Sequence, residues 1–154
     1  IRHIKQAGAA GIVIGALTEE GVVDEEALVF LLEEAEGFDV TFHRAFDYAV
    51  DQFAALEAIA KYPKVNRILT SGGTAPAPQA LEQLRKLVEA SDEKALQILV
   101  GSGVTPESVS TIITETGAKE VHLGSGVRVN RSFMEPIDRN LIEGIKKQFQ
   151  ALTE

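Results

Sequence analysis

With 154 residues, 45% of them hydrophobic and 25% charged, the chain is long enough for a single domain over 1–154 with a real core. Its net charge of -8 opposes a nucleic-acid backbone or an anionic membrane as partner. Cysteine is absent, which removes disulfides, thiolate metal sites and cysteine nucleophiles together and fits a cytoplasmic protein.

The opening IRHIKQAG reads as the last turns of a helix, with Ile1, Ile4 and Lys5 at helical spacing and Gly8 as its C-terminal cap. A domain rarely begins with the end of an element, so further structure is expected upstream of Ile1. GIVIGAL (11–17) is a short apolar run of strand type. A helix follows, capped by Asp24, with Ala27, Leu28, Leu31, Leu32 and Ala35 as its stripe and Gly37 as its end. VTFHRAF (40–46) is a second strand, and Asp51 caps a helix that turns Phe53, Leu56, Ile59 and Ala60 inward. RILTSGG (67–73) precedes a helix from about 78 to 90 on Leu81, Leu84, Leu87 and Val88. ALQILVGSG (95–103) leads to a helix with Thr105 as cap and Pro106 at its first position. EVHLGSG (120–126) and a helix near 138–152 close the chain.

Strand and helix thus alternate with a period of roughly 25–30 residues, as in repeated βα units. The strand cores are continuous apolar runs, so both sheet faces are covered and the sheet is parallel. A doubly wound open sheet and a (β/α)₈ barrel both fit. No GxGxxG follows the first strand, which disfavours a dinucleotide fold.

Both architectures put chemistry at the C-terminal edge of the strands, where the unusual residues gather. His43, Arg44 and Asp47 end the second strand. By strand alternation His43 faces inward, Arg44 snorkels outward or meets a carboxylate, and Asp47 lies past the strand end, within reach of the pocket. His43 is a candidate general acid or base, Asp47 its orienting partner, and Arg44 a charge neutraliser if a bulge turns it inward. Ser71, Gly72 and Gly73 form a candidate anion cradle, as do Gly101, Ser102 and Gly103 and then Gly124, Ser125 and Gly126. His122 shares a face with Gly124. No lysine sits within a strand, so no Schiff-base nucleophile is visible.

GIVIGALTEEGVVDEEAL, VTFHRAFD, RILTSGG, GSGVTPESV and TGAKEVH, in that order, resemble the CutC family over most of the chain. The resemblance implies a TIM-like barrel, commonly oligomeric, associated with copper(I) binding or tolerance. It also implies that this chain supplies the fourth to eighth strands, a partial barrel lacking three βα units. A homo-oligomer that takes a small ligand or metal ion is the expected state. His43 and His122 are the metal candidates. Ser102 interrupts the family's glycine run, Leu123-Gly124-Ser125 departs from the family pattern, and the cysteines discussed as copper ligands have no counterpart. Copper(I) favours thiolate and thioether ligands, and the chain offers one methionine, Met134. The competing reading is a barrel enzyme acting on a small phosphorylated or anionic metabolite, with His43 and Asp47 as its acid–base pair. A binding or scaffold protein is the third.

Overall fold

Five short strands, β1 (Gly11–Ile14), β2 (Asp39–Phe42), β3 (Val65–Thr70), β4 (Gln97–Val100) and β5 (Glu120–Val121), lie side by side in chain order, and every pair is parallel. The computed structural model describes residues 1–153. Helices α1 (Arg2–Gln6), α2 (Glu25–Glu33), α3 (Gln52–Ala60), α4 (Leu81–Asp92), α5 (Val109–Thr116) and α6 (Arg139–Thr153) alternate with the strands. Sequential order separates this sheet from a doubly wound one, whose strand order reverses at a switch point. Right-handed crossovers repeated in one direction keep the helices on a single face.

The caps of α2 and α3 form as their residue types require. The Asp24 carboxylate accepts from the Ala27 amide at 2.9 Å, and Asp51 accepts from Phe53 and Ala54. Val40, Phe42, Ile68 and Val100, one face of the sheet, share a buried core with Leu28, Leu56, Ile59, Leu84, Leu87 and Ile112. On the opposite face Val13 is 61% exposed, and Arg67 pairs with Asp39 at 2.6 Å and Glu120 at 2.8 Å. A Cβ placed on Gly101 would lie 2.6 Å from Leu69 Cδ1 and 3.3 Å from His122 Cβ. Leu69 of β3 and His122, just past β5, therefore both stand over Gly101 at the end of the strand between them.

The strands are shorter than the apolar runs. β1 stops at Ile14, and the chain turns back so that Leu17 and Val23 form an antiparallel bridge. β2 stops at Phe42, where the 3₁₀ turn Arg44–Tyr48 begins. Before α4 the residues 77–79 also wind as 3₁₀, so the helix starts at Leu81 instead of near 78. α5 starts at Val109, after a turn in which the Ser108 hydroxyl accepts from the Thr105 amide, so Thr105 is not the side-chain cap expected for it. Beyond β5 the residues 125–127 form a 3₁₀ turn, and an excursion follows that Arg128 and Ile137 close by an antiparallel bridge.

Candidate functional site

The end of β2 decides where its polar residues go. His43 caps the 3₁₀ turn, its Nδ1 accepting the Ala45 amide at 3.1 Å. Because the strand has ended, period-two alternation no longer applies to Arg44. Its side chain lines the C-terminal cleft instead of pointing away from it, a correction to the sequence expectation. His43 packs beside Gly15 and edge-on to Phe42, toward the β1 side of the sheet.

Asp47 completes the turn and is buried. One oxygen accepts the Thr70 hydroxyl and the Ser71 amide, the latter at 3.1 Å, and the other accepts Arg44 Nε at 2.6 Å. The Ser71 hydroxyl lies 3.1 Å from that second oxygen and 2.7 Å from the Gly73 carbonyl, and it accepts from Arg44 Nη2 at 3.1 Å. A buried carboxylate with this many donors, one of them a guanidinium, is fully compensated. Its partners are Arg44, Thr70 and Ser71, so the expected His43–Asp47 pair does not form among the described residues. Asp47 is buried among these donors and does not line the cleft, which does not suit it to general base work.

This geometry also corrects the expected cradle at Ser71–Gly73. Ser71 is fully buried and spends its amide and hydroxyl inside the network. A Cβ on Gly72 would meet Ala80 and Leu84 at 3.0–3.1 Å, so that glycine serves the packing of α4. Gly101 likewise serves packing, since a Cβ there would crowd Leu69 and His122. The Ser71 hydroxyl supports Arg44.

The open space lies farther along the same edge. A cleft of about 400 Å³ is lined by Arg44 and Leu69, by Ser102 to Thr105, by His122, by Gly124 to Gly126, and by Arg131 and Phe133. Ser102 (φ 76°) and Arg131 (φ 53°) both hold left-handed backbone without being glycine, a strain that collects at functional sites. A Cβ on Gly126 would lie 2.3 Å from the Val104 carbonyl oxygen, so only glycine lets the two loops close on each other. On a chain of net charge -8, the lining holds two arginines and a histidine and no carboxylate. Glu107 stands beside it, pairing with Arg131 at 2.7 Å. Its carboxyl is held below the usual carboxylate range, first by the Thr105 hydroxyl, then by its own backbone amide and by Arg131.

Of the residues singled out in the sequence, Arg44, Ser102, Gly103, His122, Gly124, Ser125 and Gly126 therefore meet in one cleft, whereas His43, Asp47, Ser71, Gly72, Gly73 and Gly101 stand outside it. Arg131 and Phe133 were not singled out. The signal available for them was a pair of arginines, Arg128 and Arg131, followed by an aromatic, Phe133, shortly after Gly-Ser-Gly.

The donor set does not fit copper(I) as a resident group. No group of three or more His, Asp or Glu side chains gathers among the described residues. His43 sits at the β1–β2 end of the sheet, His122 at the β4–β5 end, and Met134 stands 93% exposed on the excursion. A soft cation selects sulfur ligands that the cleft lacks. No helix among the described residues is long and apolar enough to cross a membrane.

Comparison with known proteins gives one family. Residues 1–127 match the model described as the CutC family. A CutC family protein of Photobacterium profundum is 42% identical over 134 residues, covering 87% of this chain and 54% of the relative. One from Vibrio vulnificus is 46% identical over 125 residues, 80% of this chain and 49% of the relative. The chain thus spans about half the length of the curated relatives it matches. A solved Streptococcus agalactiae structure, described in terms of copper homeostasis and CutC, superposes with a TM-score of 0.71 at 31% identity, covering 77% of this chain and 57% of its own.

Proposed function

The chain belongs to the CutC family, and from that premise we propose that its five βα units are consecutive units of a TIM-like barrel whose mouth binds a small phosphorylated or otherwise anionic metabolite. The sequential parallel order supports the barrel, as does the crowding of Leu69 and His122 over Gly101 at the end of β4. The carrying observation for the ligand is the charge of the cleft: Arg44 and Arg131 line it without a carboxylate, on an acidic chain. Arg44 is set in advance. Nε and Nη2 are held by Asp47 and Ser71, while Nη1 makes no protein hydrogen bond among the described residues and is available to an anion. With β4 and β5 taken as the last two barrel strands, the loops at Ser102–Gly103 and Gly124–Gly126 correspond to those after which barrels hold phosphate. His122 is the group in the lining able to exchange a proton with a ligand, a role first assigned to His43. A homo-oligomer working in the cytoplasm is part of the same proposal.

A thermal melt tests this. Inorganic phosphate and small phosphate esters are expected to raise the midpoint of the wild-type chain and to leave Arg44→Gln unshifted. A shift with copper(I) under reducing conditions and none with phosphate would overturn the anion reading. It would favour the second reading, copper(I) binding, which the family designation of the relatives motivates, with His122 the one imidazole in the cleft lining and His43 a separate candidate at the other end of the sheet.

A further inference from the structure

The family match ends at residue 127, and the cleft does not. Its outer wall comes from the excursion that Arg128 and Ile137 close, through Arg131 and Phe133. This segment is tied down at its base. The Val129 amide donates to the Pro136 carbonyl at 3.1 Å, Asp138 donates to Val127 at 2.8 Å, and Arg128 Nη1 donates to the Glu135 carbonyl at 2.7 Å. Arg128 also lies over the Phe133 ring, 5.9 Å from its centroid. The ring edge rests on the Gly124 backbone, where a Cβ would come within 3.2 Å of Phe133 Cζ. Phe133 is nevertheless 72% exposed. A cation fixes the ring from one side, a glycine makes room for its edge, and most of it stays open at the rim of an anion cleft.

Resting on the anion reading, we infer that Phe133 is a specificity-determining residue that selects phosphate ligands carrying a planar ring, with the phosphate at Arg44 and the ring stacked on Phe133. Aromatic faces attract other planar groups by offset stacking. A cleft of about 400 Å³ is of the size that holds a small ring-bearing phosphate.

Calorimetric titration of the chain with inorganic phosphate, glycerol 3-phosphate and phenyl phosphate tests the inference. Phenyl phosphate is expected to bind about tenfold more tightly than glycerol 3-phosphate. Phe133→Leu, which keeps an apolar side chain of similar size at an exposed position, should erase that preference without changing the affinity for inorganic phosphate. Phe133→Tyr should keep the preference. Equal affinity of wild type for the two esters, with binding still lost in Arg44→Gln, would overturn ring selection and leave the anion site standing. A preference that survives in Phe133→Leu would also overturn it. Failure of all three phosphates to bind would overturn the anion site and the inference together.

Discussion

The two ends of the strand edge solve opposite problems. At the β2–β3 end, Asp47, Thr70 and Ser71 are buried and satisfy one another, and the one group left over is an arginine terminus. At the β4–β5 end, the loops line an open cleft and hold strained backbone at Ser102 and Arg131. The first is a mount and the second a receptacle. A buried polar network lowers its free energy by closing on itself, whereas a binding loop keeps groups unpaired until a ligand arrives. Polar residues at strand ends are therefore not equivalent evidence for a ligand.

The sharpest way to break this contrast is Asp47→Asn. An amide nitrogen would face the donors that the carboxylate now accepts, and Arg44 would lose its counter-charge. The expected loss is about 3 kcal/mol in urea denaturation, discounted because Arg44 is partly exposed. A variant as stable as wild type would refute the mount. On the receptacle side, Gly126→Ala forces a methyl against the Val104 carbonyl oxygen, with about 2 kcal/mol of destabilisation and a marked loss of phosphate affinity expected. Arg44→Gln joins the two ends. It is expected to cost about 1 kcal/mol in stability, since Asp47 keeps Thr70 and Ser71, but to weaken phosphate binding about tenfold or more by titration. The smallest effect is at Glu107. A carboxyl whose folded pKa is lowered contributes stability above its unfolded pKa and loses it as pH falls through the lowered folded value. Glu107 is exposed, so Glu107→Gln should lower the neutral-pH melting midpoint only slightly, and the variant and wild-type curves should converge as the pH falls through the carboxylate range.

The βα alternation was legible because helix caps and apolar runs are local signals, as Asp24, Asp51 and the runs of β3 and β4 show. Strand ends were not. An apolar run continues past the last ladder hydrogen bond whenever the next element also packs on the core, as Phe46 does, so VTFHRAF reads as one strand and folds as a strand and a turn. That single boundary changed where the side chains of His43 and Arg44 lie from where strand alternation would put them. The TSGG and GSG segments carry the same residue types and sit at equivalent strand ends. What separates them is the carboxylate of Asp47, 23 residues upstream of Thr70, and no local pattern reveals a partner at that distance. The outer wall of the cleft was missed because the excursion after Gly126 has no periodicity to read.

The cap at His43 carries one more consequence. Its Nδ1 is the acceptor that starts the turn delivering Arg44. The neutral ring is therefore the tautomer protonated on Nε2. A metal ion or proton that claimed Nδ1 would take the Ala45 amide's acceptor away and loosen the turn. Coordination at this imidazole is confined to Nε2 for as long as the arginine stays aimed, so ligand field and guanidinium geometry are linked through one lone pair.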